Sequence, residues 1–230
     1  MNIISRNIDN IKKRILNAAN GNGVTLVAVT KTFSANDVEE AIKVGITDIA
    51  ESKIQEALPK FDVLSNSLKG INKHFIGHLQ SNKTKKAVLN FDLIQSLDSI
   101  DLANNINKYA QDINKIQECL IELKVSQEES KFGVPIEKIY GIYDHCLANC
   151  KNILISGIMT IAPYFDDKEN VRPYFQKAYN IYSDMQKKVG NEKFKILSMG
   201  MSNDFEIAIE EGSNMVRVGS AIFGERNYDK

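Results

Sequence analysis

Short runs rich in apolar and β-branched residues alternate along this chain with longer segments of helical period. The runs are TLVAVTK (25–31), DIAES (48–52), HFIGHL (74–79) and DLIQSLD (92–98), then ECLIELKV (118–125), LISGIMTIA (154–162), KILSMGM (195–201) and MVRVGSAIF (215–223). Strands covered on both faces read this way, and helices between them indicate a parallel sheet. The intervening stretches, such as NDVEEAIKVG and SIDLANNINKYAQDI, are amphipathic. Ser34 or Asn36 is the predicted start of one helix, Gly45 and Gly212 end two others, and Pro135 stands near the start of another. At the N-terminus Ile4, Ile8, Ile11 and Ile15 share one helical face. Eight strand–helix units in 230 residues, with no linker or low-complexity tract, predict one (β/α)8 TIM barrel over residues 1–230 with an extra N-terminal helix. An open doubly wound sheet is the fallback, but neither a GxGxxG turn nor a GxxxxGK[ST] loop follows any strand.

Composition changes this picture little. The hydrophobic share of 43% with 25% charged residues is that of a globular chain with a sizeable core. Lys plus Arg and Asp plus Glu are both 29, so nothing advertises a surface for nucleic acid, and KKR at Lys12–Arg14 reads as a solvated helix face. No apolar run approaches the ~20 residues needed to span a bilayer, and the N-terminus lacks the features of a signal peptide. Cys119, Cys146 and Cys150 complete no metal-ligand motif and read as buried free thiols. A cytoplasmic location is the expectation.

The working face of such a barrel is the C-terminal end of its strands. Lys31 leaves the first strand after Leu26, Val27, Ala28 and Val29. An ammonium among apolar walls is disfavoured, so its pKa should fall and free more neutral amine for attack on an aldehyde. The alternative is a lysine paired with an acid such as Glu51. The loops after strands seven and eight are the usual phosphate site of these barrels. Here Ser202 offers a hydroxyl, and Gly219 and Ser220 offer backbone N–H groups; simple tight turns are the competing reading. Arg217, flanked by Val216 and Val218, faces inward by the period of two if Met215 and Gly219 do. Its acceptor is either a carboxylate or a heteroaromatic ring nitrogen.

A Schiff-base lysine, a phosphate cradle and a cation for a ring nitrogen are what pyridoxal 5′-phosphate requires. The segments VAVTKTFSANDVEEAI, HFIGHLQSNKTKK, SKFG and LSMGMSNDFEIAIEEGSNMVRVGSAIFGERNY resemble the pyridoxal phosphate homeostasis protein family, single-domain barrels similar to the N-terminal domain of alanine racemase. The resemblance implies that Lys31 carries the cofactor as an internal aldimine. It places the phosphate at Ser202 and the amides of Gly219 and Ser220, with Arg217 at the pyridine nitrogen. Asn82 borders the cofactor side, Lys131 matches a second lysine near the site entrance, and His74 is structural, at the opposite rim. Ser52 and Lys53 stand where the family commonly has an Asn-Tyr pair, and Phe33 where many members have another lysine. The implied role is storage and delivery of the cofactor by a monomer, with apo forms of pyridoxal-phosphate-dependent enzymes as recipients. An amino-acid racemase is the alternative function, and a barrel enzyme for a phosphorylated metabolite a third. Racemisation needs a base on each face of the substrate. The second base of racemases comes from a C-terminal domain that is not expected after Phe223, so negligible turnover of amino acids is expected.

Overall fold

The computed structural model of the protein describes residues 2–126, 133–190 and 192–225. Eight parallel strands close into a barrel in sequence order, with the last pairing the first. They are β1 (Thr25–Val29), β2 (Asp48–Glu51), β3 (Asn72–Phe75), β4 (Leu93–Leu97), β5 (Gln117–Leu123), β6 (Ile153–Thr160), β7 (Ile196–Ser198) and β8 (Met215–Val218). Helices α2 (Ala35–Lys43), α3 (Ile54–Val63), α4 (Thr84–Asn90), α5 (Ile100–Asp112), α6 (Ile139–Asn149), α7 (Arg172–Val189) and α8 (Phe205–Glu210) lie between successive strands. A helix α1 (Ile3–Ala19) precedes β1, and a single turn, α9 (Ser220–Phe223), follows β8. Among the described residues no helix is long and apolar enough to cross a membrane.

Two apolar layers follow from the period of two along each strand. Val27, Val29, Ala50, Leu93, Leu120, Met159 and Met215, with Ile76 and Ile196 beside them, form a cluster drawn from all eight strand regions, which is the barrel interior. Their strand neighbours Ala28, Ile49, Ile94, Cys119, Ile121, Leu197, Val216 and Val218 belong to the larger core beneath the helices. The extra N-terminal helix is present, and Ile4, Ile8, Ile11 and Ile15 are its buried face. It packs on α2, α8 and α9, so it covers the β8–β1 seam that the short α9 leaves open. There Arg14 donates to Glu206 through Nε and Nη2, at 2.8 and 2.6 Å, with its guanidinium over the Phe205 ring. Cys119, Cys146 and Cys150 are buried free thiols, and burial pushes Cys146 up to about 12.

Ser34 is the N-cap of α2, closed into a capping box with Asp37. Gly45 and Gly212 lie just past α2 and α8 with φ near +90° (+88° and +93°), where a side chain would be strained. Several strands are shorter than the apolar runs that announce them. The run 215–223 is a strand only to Val218; Gly219 turns the chain, and Ala221–Phe223 coil into α9. The run 195–201 ends as strand at Ser198, because Gly200 has φ +93° and packs so closely on α8 that an added Cβ would stand 2.6 Å from Ala208 Cβ. The run 74–79 begins earlier, at Asn72, and stops at Phe75. Beyond it Gly77 lies against the Ser52 backbone, 2.1 Å from Ser52 O to a built Cβ, a packing contact in place of ladder pairing. His74 is therefore inside the barrel rather than at its rim, and it is structural.

Candidate functional site

The polar residues of the barrel mouth are set by three adjacent strand ends, those of β7, β8 and β1. Register pairs Val27 with Arg217, and Arg217 N donates to Gly200 O at 3.0 Å, so β8 lies between the two loops that carry Ser202 and Lys31. Gly219 follows β8 against Val29, where an added Cβ would press on Val29 Cβ and O, both at 3.3 Å. Across from it, Ser202 Oγ accepts the amides of Gly219 (3.2 Å) and Ala221 (3.3 Å). A hydroxyl oxygen has two lone pairs; here both are used, which leaves its O–H to donate outward. Ser220 itself is exposed at the first position of α9. The second amide is that of Ala221, a residue no side-chain signal singles out, since any first-turn N–H has that capacity.

Arg217 is 3% exposed, in line with Met215 on the interior face. Its guanidinium donates to Ser198 Oγ at 2.7 Å and to the Thr160 carbonyl at 2.9 Å. Neither acceptor is a carboxylate. Burial pulls its pKa down to about 10, against the opposing fields of Glu122 and Asp204. Glu122, on β5 in line with Leu120, is itself buried; burial first, then the charge of Asp98, raise its carboxyl to about 7 while Arg217 opposes. Asp98 in turn meets His78 Nδ1 at 3.3 Å.

A chain of hydrogen bonds runs from Arg217 through the barrel interior. Ser198 Oγ, the acceptor of Arg217, donates to Gln95 Oε1 at 2.7 Å. Gln95 Nε2 meets His74 Nδ1 at 2.8 Å, and His74 Nε2 meets Asp48 Oδ1 at 3.1 Å. Burial alone would raise the Asp48 carboxyl, but hydrogen bonds from His74, Thr47 and Asn72 hold it below its ordinary value.

Lys31 occupies the turn after β1, half-buried, two residues beyond interior Val29. The acid weighed as its structural partner is engaged elsewhere: Glu51 Oε1 accepts Lys60 Nζ at 2.6 Å and Thr30 Oγ1 at 2.7 Å. Thr32, the next residue, has φ +70°. A β-branched side chain in the left-handed region is an outlier that costs about 1–3 kcal/mol, and such strain gathers at functional sites. Asn82 is exposed in a 3-10 turn (Ser81–Lys83) beyond β3, on the same rim of the barrel. Lys131 lies outside the described residues. The structure thus brings Lys31, Ser202, Arg217 and Gly219 to one side of the mouth. No group of three or more His, Cys, Asp or Glu among the described residues is placed to hold a metal ion.

Comparison with known proteins gives the same barrel. Residues 2–227 match the family described as alanine racemase, N-terminal domain. The pyridoxal phosphate homeostasis protein of Aquifex aeolicus is 39% identical over 226 residues, 98% of this chain and 97% of that protein. The human protein of the same name is 37% identical over 213 residues, covering 89% and 78%. PipY of Synechococcus elongatus, solved with PLP bound, superposes with a TM-score of 0.86 at 28% identity, over 96% of this chain and 100% of PipY. Alanine racemase of Clostridium difficile shares the fold, with a TM-score of 0.74 at 16% identity over 99% of this chain and 61% of the racemase. By its length of match and its identities, this chain belongs to the pyridoxal phosphate homeostasis protein family.

Proposed function

We propose that this protein binds pyridoxal 5′-phosphate through Lys31 and holds it in exchange with the cell's free pool, keeping a reactive aldehyde restrained until a recipient takes it. The observation that carries this reading is the meeting of Lys31, buried Arg217 and the Ser202–Gly219–Ala221 cradle on neighbouring strand ends. The residues present fit the group. The amides of Gly219 and Ala221 converge on Ser202 Oγ and can exchange that acceptor for a phosphate dianion, the Ser202 O–H is left to donate, and the space beside Gly219 is one that a side chain would fill. The cofactor, when bound, supplies an aldehyde that an amine captures reversibly. The chain's own part is to present the Lys31 amine, to hold the phosphate with Ser202 and the amides of Gly219, Ser220 and Ala221, and to offer the Arg217 guanidinium to the ring nitrogen. A guanidinium donates a hydrogen bond without giving up its proton, so Arg217 leaves the ring a poor electron sink and favours holding over turnover. Asn82 and Lys131 stand as secondary contacts.

The reading places the protein in the cytoplasm, where buried thiols such as Cys119 stay reduced. It has the protein act as a monomer with apo forms of pyridoxal-phosphate-dependent enzymes as recipients. The racemase reading rests only on a shared barrel. The test is titration with pyridoxal phosphate followed by borohydride reduction and peptide mass spectrometry. One pyridoxyl group on Lys31 is expected; diffuse labelling of surface lysines would sink the proposal.

Ser202→Ala removes one hydroxyl facing a charged phosphate, a bond worth about 1.5–3 kcal/mol. Equilibrium titration should show affinity for the cofactor weakened by about one to two orders of magnitude. Unchanged affinity would remove Ser202 from the cradle.

A further inference from the structure

Lys31 is bracketed on both sides by backbone groups held from a neighbouring helix. Before it, the carbonyl of Thr30 accepts Lys60 Nζ at 2.7 Å, and the Thr30 hydroxyl donates to Glu51. After it, the N–H of Thr32 donates to Glu56 Oε1. Lys60 ties the two sides together: it pairs with Glu51 at 2.6 Å and with Glu56 at 3.5 Å. Lys60 and Glu56 lie one turn apart on α3, and Glu51 ends β2, so a helix and a strand grip Thr30 and Thr32, the residues on either side of Lys31. The grip is costly to build. Lys60 is 8% exposed and Glu51 0%, burial drives the Glu51 carboxyl upward against the ammonium of Lys60, and Glu51 Oε2 has no hydrogen-bond partner. Buried ion pairs seldom add net stability over apolar packing. Glu56, paired with the same lysine, accepts the N–H of Thr32, whose φ of +70° is a conformation its side chain disfavours.

We propose that Lys60, Glu51 and Glu56 form a clamp that positions Lys31, so that α3 sets the direction and reactivity of the attachment amine. The clamp deepens the pyridoxal phosphate reading, because a fixed amine meets a cradled aldehyde without searching for it, and a small misplacement of a reacting group is costly in rate. The three are positioning residues; none is assigned contact with the cofactor.

Competitive acetylation of the free protein with acetic anhydride, from about pH 7 to 10, reads the reactivity and titration of Lys31 without any cofactor. Glu56→Ala leaves the Thr32 N–H without its acceptor and is expected to change the Lys31 acetylation rate by about threefold or more and to shift its pH profile. Glu56→Gln keeps an oxygen for that N–H and is expected to restore the profile. Replacing Lys60→Met and Glu51→Gln together removes both buried charges, so that neither is left unpaired, and is expected to alter the profile as Glu56→Ala does. In the same proteins, the rate of Lys31 labelling by pyridoxal phosphate and borohydride should fall about tenfold in Glu56→Ala and recover in Glu56→Gln. Identical acetylation profiles in all variants, or equal changes in Glu56→Ala and Glu56→Gln, would overturn the clamp. Absence of pyridoxyl label on wild-type Lys31 strikes the cofactor reading instead, and the acetylation profiles still decide the clamp.

Discussion

Lys31→Ala is expected to abolish single-site capture of pyridoxal phosphate while leaving the barrel folded. The residue lies in the turn after β1, half-buried, outside both apolar layers, so its truncation opens no cavity in the packed core. The proposed phosphate cradle, Ser202 with the amides of Gly219 and Ala221, belongs to the loops after β7 and β8 and is bonded without Lys31. The variant should therefore retain weak, reversible binding of pyridoxal phosphate, and of analogues that lack the aldehyde, with no label after borohydride. Mass spectrometry of the reduced protein and a thermal melt check both halves. A single pyridoxyl group surviving at one other site would make that lysine the true attachment point, and Lys131 is the first to examine. Loss of folding would mean that the turn carries stability of its own.

The second large effect concerns pH. Glu122 is 7% exposed, and burial beside Asp98 holds its carboxyl at about 7 against an ordinary 4.5, with Arg217 pulling the other way. A folded-state value above the unfolded one means that the native protein binds the proton more tightly. The stability contributed by this proton is fully present below about pH 4.5 and is lost as pH rises through about 7. The difference corresponds to roughly 3 kcal/mol for a group this buried, at 1.36 kcal/mol per pH unit. Glu122→Gln keeps the neutral shape and carries no charge. It is expected to match the wild type at about pH 4 and to exceed it at about pH 8 by up to that amount. Urea titrations of both proteins at the two pH values measure this. Parallel pH dependence in the two proteins would show that Glu122 titrates as an ordinary surface carboxylate.

The fold was legible because a doubly covered strand announces itself without its neighbours, and because Ile4, Ile8, Ile11 and Ile15 mark a helix face on their own. The point where a strand stops was less so. In 215–223 the apolar residues of β8 and α9 run together, and only the turn at Gly219 separates them. Lys31 and the Ser202–Gly219 pair were visible because an ammonium after an apolar run and glycines at two late strand exits are local features. The groups that hold them in place were not. Lys60 reads in sequence as a solvated helix lysine next to Pro59, and only the tertiary fold delivers its Nζ to the Thr30 carbonyl. Likewise the period of two predicts that Arg217 faces inward, but not which acceptors wait there. Ser198 comes from β7, which pairs with β8, and Thr160 from β6, one strand further round, and both reach Arg217 only once the barrel is wound.

The interior hydrogen-bond chain from Arg217 to Asp48 has a direction. Its mouth end is a guanidinium, which can only donate, and its far end is an ionised carboxylate, which can only accept. One order of protons satisfies every link between them. In it Ser198 passes its hydroxyl hydrogen to Gln95 Oε1, the Gln95 amide nitrogen faces His74 Nδ1, and the imidazole proton lies on Nε2, facing Asp48. An uncharged imidazole satisfies this order. A doubly protonated ring would set two donors against each other at Gln95 and could be accommodated only by flipping the amide. The barrel axis therefore carries a continuous polar path: the arginine at its mouth and the Asp48 carboxylate at its far end are joined through three hydrogen-bonded side chains, Ser198, Gln95 and His74.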